Sequence, residues 1–199
     1  MNTLDRIFTR NAEAFTDAYF DYLGRVLKAV DRREVKALVE TLLGARERGA
    51  MIFFIGNGGS AATASHFAND LAIGTKTPEK PFRALALTDN VAIISAIGND
   101  LGYEEVFSQQ IRALGKTGDI LVGISASGNS PNLLRAFDAA KQMGIRTIAL
   151  TAFDGGKMKT EADQGVFVPT GLGEYGPAED AHLILDHLVH AYLSRIIRA

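Results

Sequence analysis

Histidines and acidic residues in two predicted helices are spaced so that they could bind a metal or transfer protons. His66 and Asp70 are four residues apart and therefore share one face of a helix. Glu179 and His187 are eight residues apart and share a face of a second helix. A neighbouring stripe of that helix carries His182, Asp186 and His190. Imidazoles and carboxylates at these spacings could ligate zinc if the two helices meet. The alternative is a solvated face or an ion-pair stripe.

Two loops rich in glycine and serine could bind an anion. The sequence GNGGS at 56–60 follows an apolar run and precedes a helical segment, so backbone N–H groups are free at the helix start. It does not match GxGxxG and has no P-loop lysine, which disfavours a nucleotide site. The second loop, SASGNSP at 125–131, offers three hydroxyls. Ser130 before Pro131 is a typical helix cap, whereas Ser125 and Ser127 lie upstream and favour a phosphate monoester over a simple polar turn.

Short apolar runs alternate with helical segments from residue 51 onward. The runs occupy 51–55, 84–87, 119–124, 147–150 and 166–168. Helical periodicity covers about 60–73, 90–97, 103–114, 130–143 and 178–197. Runs that are apolar throughout are typical of strands buried on both faces of a parallel sheet. The sequence therefore predicts a doubly wound α/β sandwich with a five-stranded parallel sheet.

Residues 1–50 precede this alternation and show helical periodicity. Asp31 is placed to cap the second of two helices, and Gly49 to end it. Their apolar stripes could cover the sheet or form a subunit interface. We expect residues 1–199 to form one domain, with 1–50 as a helical extension.

Composition excludes several functional classes. The 199 residues carry a formal net charge of −2, which argues against direct nucleic-acid binding. No cysteine is present, so disulfides and thiolate metal sites are excluded. No apolar stretch is long enough for a membrane span, and the first residues lack a signal-peptide core. We expect a cytoplasmic protein whose partners are small molecules or copies of itself.

Three stretches together resemble the sugar isomerase (SIS) family, and within it the phosphoheptose isomerases: GNGGSAATASHFANDL, ISASGNSPNLLRAF and LTAFDGGKMKTEADQGVFVP. The likeness covers nearly the whole chain. It implies an aldose–ketose isomerase that converts sedoheptulose 7-phosphate to D-glycero-D-manno-heptose 7-phosphate. It also implies zinc and a homotetramer with active sites shared between subunits.

The resemblance also implies roles for individual residues. Phosphate would be held by the serine loop, at Ser125, Ser127 and Ser130, with Ala126 in the place of a hydroxyl residue. The sugar would be lined by Asn57, Gly58, Ser60, Asn99 and Asp100, although Asp100 could equally be a helix cap or turn former. Zinc would be held by His66, Asp70, Glu179 and His187. Of these, Asp70, Glu179 and His187 would also be the catalytic groups.

The chain departs from the family pattern at several of these positions. The family carries glutamate at the position of Asp70 and glutamine at that of Glu179, and Gly176 and Pro177 replace charged residues. Glu179 could compensate for the shorter Asp70, as a metal ligand or as the base. The alternative function is a non-catalytic SIS module that senses a phosphosugar or binds a protein partner, as a family relative binds the replication initiator DnaA. Retention of the acidic and imidazole groups favours the enzyme.

Overall fold

The centre of the fold is a parallel sheet, seen in a computed structural model that describes residues 2–77 and 79–198. The five strands are β1 Met51–Gly56, β2 Arg83–Ala86, β3 Ile120–Ser125, β4 Arg146–Thr151 and β5 Gln164–Phe167. They lie in the order β2-β1-β3-β4-β5, and every neighbouring pair is parallel. The predicted doubly wound sheet is confirmed. Strand order reverses between β1 and β3, and ligands of such sheets bind beyond the carboxyl ends of the strands at this switch point.

Helices occupy both faces of the sheet. They are α1 Thr3–Ile7, α2 Ala12–Ala29, α3 Arg32–Arg48, α4 Gly59–Asn69, α5 Val91–Asp100, α6 Ser108–Leu114, α7 Pro131–Gln142, α8 Gly156–Glu161 and α9 Tyr175–Ile196. Several details differ from the prediction, including the additional leading helix α1. The segment 103–114 is divided into a 3-10 turn at Tyr103–Glu105 and α6, and the short helix α8 was not predicted. In addition, α4 continues into one π-helical turn, Asp70–Gly74.

Two apolar clusters cover the two faces of the sheet. Because successive side chains of a strand point to opposite faces, Phe54 and Val122 pack with α2, α3, α4 and α9. Their neighbours Phe53 and Leu121 pack on the other face with α6, α7 and α8. Burial on both faces explains why the strands are apolar throughout rather than alternating.

The leading helices cover one face of the sheet. As predicted, Asp31 caps α3 by accepting a hydrogen bond from the Arg33 N–H at 2.8 Å, and Gly49 ends it with φ 66°. Tyr22 of α2 and Leu42 of α3 are buried in the same cluster as α9. No helix in the described part of the chain has the length and apolar character needed to cross a membrane.

Candidate active site

The loop after β1 places a glycine-rich backbone against the first turn of α4. A Cβ at Gly56 would lie only 2.5 Å from the carbonyl oxygen of Ser60, so this close approach requires glycine. The Asn57 amide donates to Asn132 Oδ1 at 3.0 Å, and Asn57 Oδ1 accepts from the Asn132 amide at 2.8 Å and from the Tyr103 hydroxyl at 3.0 Å. Asn57 is therefore fixed at the switch point between β1 and β3.

The serine loop follows β3 and leads into α7. Ser125 Oγ accepts a hydrogen bond from the Gly128 N–H at 3.0 Å, which closes the loop on itself. Gly128 has φ 62°, a left-handed conformation that favours glycine. Ser130 occupies the N-cap position with Pro131 at N1, as predicted, yet within the described residues its hydroxyl makes no capping hydrogen bond. The hydroxyl of Ser130 is therefore free to meet a ligand at the helix N-terminus.

The two loops line one cavity of about 120 Å³. Its walls are Asn57, Ser60, Ile124, Ser125, Ala126, Ser127, Ser130, Tyr175 and Glu179. Gly58 lies in the same loop, at the N-cap of α4. A larger cavity of about 490 Å³ lies beside Arg146, at the amino end of β4 and hence away from the switch point.

Glu179 joins this cavity from the start of α9. A Cβ on Gly59 would overlap the Glu179 carboxylate, so the absence of a side chain at Gly59 lets the acid approach the first turn of α4. Helix N-termini carry partial positive charge and favour a carboxylate at this position. Glu179 thus lies beside the serine loop as a carboxylate that could accept a proton.

A second group of titratable side chains lies where α4 and the π-helical turn pack against α9. His66, Asp70, Asp186 and His187 each offer a ligand atom, and these atoms all lie within 4.8 Å of one another. The Nε2 atoms of His66 and His187 are 3.1 Å apart, and His66 Nε2 is 3.7 Å from Asp70 Oδ2. His190 Nδ1 lies 3.1 Å from the same Asp70 oxygen. Single π turns often occur at functional sites, and this one begins at Asp70.

Burial shifts the pKa values of two residues on α9. Asp186 has no exposed surface, and burial together with the nearby charge of Asp70 raises the pKa of Asp186 to about 8. Burial lowers the pKa of His182 to about 4, against a smaller opposing effect of the Thr151 backbone. A cation among the side chains would reverse the effect on Asp186, because an opposite charge favours the ionised carboxylate.

The donor set fits a zinc ion. Imidazoles and carboxylates are ligand types that zinc accepts. Within the described residues, neither oxygen of the buried Asp186 carboxylate has a hydrogen-bond partner. An unpartnered buried carboxylate is unfavourable without a compensating charge.

The geometry differs from the predicted site at three positions. The carboxylate that lies close to His66, Asp70 and His187 is that of Asp186, where Glu179 was expected. Glu179 lines the cavity instead. Asn99 and Asp100 end α5, are exposed, and hydrogen bond to each other at 2.8 Å. They are not among the residues that line the cavity within this chain. Asp186 belongs to the stripe of titratable residues that the sequence indicates on this helix, although the resemblance assigns it no role.

The fold and site define a doubly wound α/β protein with a hydroxyl-lined cavity at its switch point. The sequence profile of the SIS domain family matches residues 18–152. The phosphoheptose isomerase of Helicobacter pylori (strain Shi470) is 42% identical over 155 residues, which cover 78% of this chain and 78% of that protein. The phosphoheptose isomerase of Akkermansia muciniphila is 44% identical over 149 residues, which cover 75% of this chain and 78% of that protein. The solved phosphoheptose isomerase of Neisseria gonorrhoeae is 34% identical, with a TM-score of 0.81 over 91% of this chain and 97% of that one. The chain belongs to the SIS domain family, among the phosphoheptose isomerases.

Proposed function

We propose that the protein is a phosphosugar aldose–ketose isomerase that converts sedoheptulose 7-phosphate to D-glycero-D-manno-heptose 7-phosphate. One observation carries this proposal: helices α4 and α9 contribute side chains both to the hydroxyl-lined cavity and to the imidazole–carboxylate group. The names and sequence identities of the relatives support the substrate.

The phosphate binds in the serine loop. Ser125, Ser127 and Ser130 present hydroxyls around the N-terminus of α7, whose free N–H groups and partial positive charge favour an anion. This arrangement needs no lysine or arginine. Asn57 and Ser60 line the adjoining wall and bind sugar hydroxyls.

The reaction moves a proton between adjacent carbons and exchanges a carbonyl with a hydroxyl, so it needs a base and stabilisation of charge on oxygen. Glu179 is the base, because its carboxylate borders the cavity. His66, Asp70 and His187 would hold zinc, which would supply Lewis-acid chemistry for the sugar carbonyl. His190 lies against Asp70 and keeps that carboxylate oriented.

We also propose a homotetramer with shared active sites. The resemblance implies it, and exposed apolar side chains support it: none of the described residues of α5 is buried, and Val91 is 75% exposed. Leu188 and Tyr192 on α9 are 48% and 51% exposed. A neighbouring subunit then brings Asn99 and Asp100 to the sugar.

The test is turnover of sedoheptulose 7-phosphate by purified protein, followed as formation of the aldose phosphate. Activity should vanish after chelation and return with zinc. Glu179→Gln should lower kcat by at least about a hundredfold, as expected for loss of a general base, whereas the exposed matched variant Glu161→Gln should not. Phosphosugar binding without turnover in the zinc-loaded tetramer would refute the isomerase and favour a binding module.

A further inference from the structure

Tyr175, the first residue of α9, brings an aromatic side chain to the serine-loop cavity. The hydroxyls of Tyr19, Tyr22 and Tyr103 each donate a hydrogen bond to another side chain, whereas among the described residues the Tyr175 hydroxyl has no such acceptor. Tyr175 is 55% exposed. Glu179 is four residues further along the same face of α9 and lines the same cavity. The helix therefore presents an unused donor beside the proposed base.

The ring of Tyr175 is supported by Phe153, in the loop after β4. The two ring centroids are 5.1 Å apart with their planes at 84°, which is the favourable edge-to-face arrangement. Phe153 is buried and has φ 56°, a left-handed conformation that is unfavourable for a residue with a Cβ. Backbone strain of this kind persists where the surrounding structure imposes it, and it is concentrated at ligand sites. The strained residue here supports a ring in the cavity wall.

The backbone of Tyr175 is held by the preceding residue, Glu174. Glu174 is fully buried at the N-cap of α9 and accepts hydrogen bonds from the Tyr22 hydroxyl and from the N–H groups of Thr3 and Gly171. Because the ring and the backbone of Tyr175 are both held, its hydroxyl can meet a ligand with little loss of conformational freedom.

The charges around the cavity favour a neutral donor at this position. Among the described residues that line the cavity, none is a lysine or an arginine, and Glu179 contributes a carboxylate. A bound phosphate and this carboxylate would repel each other. A cation on the same face of α9 would pair with Glu179 and make that carboxylate a weaker base. A hydroxyl donor stabilises the phosphate without this effect.

We propose that Tyr175 is a specificity-determining residue of the phosphosugar site, whose hydroxyl donates a hydrogen bond to a phosphate oxygen of the ligand. Phe153 is a positioning residue for the Tyr175 ring. The inference rests on the binding of phosphate in the serine loop, as in the proposed function, and adds to that loop a donor from α9. A phosphate monoester is then bound from two sides, by α7 and by α9.

The first experiment is a double-mutant cycle in which inorganic phosphate is titrated calorimetrically into wild type, Tyr175→Phe, Phe153→Leu and the double variant. Tyr175→Phe keeps the ring and should weaken phosphate binding about tenfold, as expected for loss of a hydrogen bond to a charged group. Phe153→Leu should weaken binding about threefold, the effect of losing an aromatic pair. In the double variant Phe153→Leu should add no further loss, because Phe153 acts through the Tyr175 hydroxyl.

Two outcomes of the cycle would overturn the proposal. Unchanged phosphate affinity in Tyr175→Phe would refute the hydrogen bond to phosphate. Equal losses from Phe153→Leu with and without the Tyr175 hydroxyl would show that Phe153 acts through the serine loop and does not position Tyr175. Urea unfolding of each variant verifies that it is folded.

The second experiment separates this inference from the proposed activity. In turnover of sedoheptulose 7-phosphate, Tyr175→Phe should raise KM about tenfold and change kcat by less than about twofold, because a bond to the unreactive phosphate is equally strong in the ground state and the transition state. A fall in kcat at unchanged KM would refute the assignment to the phosphate. Weakened phosphate binding in Tyr175→Phe, in a protein without turnover, would uphold the role of Tyr175 and refute the isomerase. Turnover in wild type, with phosphate affinity and KM unaffected by Tyr175→Phe, would do the reverse.

Discussion

Replacing Gly128 with alanine should displace the serine loop. Gly128 has φ 62°, and a Cβ there would overlap the carbonyl oxygen of Gly155 and lie 2.7 Å from its carbonyl carbon. Both are backbone atoms, so no side chain can rotate away. The Gly128 carbonyl also accepts a hydrogen bond from the Met158 N–H at 3.0 Å, which ties the serine loop to the start of α8. Relief of the overlap must therefore move one of the two loops.

The expected loss of stability has two parts. A left-handed conformation at a residue with a Cβ costs about 1–2 kcal/mol, and overpacking against fixed atoms costs about 1–3 kcal/mol. Gly128→Ala should therefore lower the free energy of unfolding by about 2–5 kcal/mol. Gly49→Ala is the matched control, because Gly49 has a similar φ of 66° with nothing within 4 Å of its Cβ position.

Urea unfolding measures both variants, and calorimetry with inorganic phosphate measures the loop. The difference between Gly128→Ala and Gly49→Ala isolates the contact with Gly155. Gly128→Ala should also weaken phosphate binding, whereas Gly49→Ala should leave it unchanged. Equal stability losses in the two variants, with phosphate binding intact, would show that the contact between Gly128 and Gly155 does not hold the serine loop in place.

Three further predictions concern the cavity and its supports. Ser125→Ala should lower both the free energy of unfolding and the phosphate affinity, because Ser125 Oγ accepts the hydrogen bond that closes the loop on Gly128. Ser130→Ala should lower only the phosphate affinity in the same two assays, because its hydroxyl makes no capping hydrogen bond. Glu174 accepts hydrogen bonds from the Tyr22 hydroxyl and from the N–H groups of Thr3 and Gly171, so Glu174→Gln should lower the free energy of urea unfolding by about 1–3 kcal/mol. Burial lowers the pKa of His182 from 6.5 to about 4. As the pH falls below 6.5, His182 therefore takes up a proton in the unfolded chain before it does so in the folded protein. The free energy of unfolding of the metal-free wild type should fall by up to about 3 kcal/mol by pH 4 for this reason, a loss that His182→Leu should not show. The same pH dependence of urea unfolding in both proteins would contradict this.

The sheet could be predicted from the sequence because its central strands β1, β3 and β4 are buried on both faces. Runs such as MIFFI leave no polar position for a solvated face, and each is followed by turn residues and a helical segment. Helix α8 escaped prediction because GKMKTE has one apolar residue in six, Met158, which is buried in the same cluster as Phe137. That contact depends on tertiary structure and leaves no periodic signal.

The proximity of the two loops could be predicted from the sequence, whereas the grouping of the titratable side chains could not. Glycine and hydroxyl residues directly after strands must lie at the carboxyl edge of the sheet, so Asn57, Ser125 and Ser130 could be grouped from their positions alone. Whether Glu179 or Asp186 lies near the imidazoles depends on the axial register of α4 against α9, in which the Glu179 carboxylate lies against Gly59. The periodicity of a sequence identifies which residues share a helix face, but not their axial position relative to the residues of a partner helix.

In the proposed function, α4 sets the distance between the two ends of an extended substrate. In a sugar phosphate the carbonyl and the phosphate lie at opposite ends of the carbon chain, so an isomerase must hold an anion and act at a distance from it. Ser60 lines the cavity, and His66 lies six residues further along α4, about 9 Å at 1.5 Å per residue. A helix keeps that spacing with little strain. The distance between the cavity and the imidazole–carboxylate group is thus set by a rigid element.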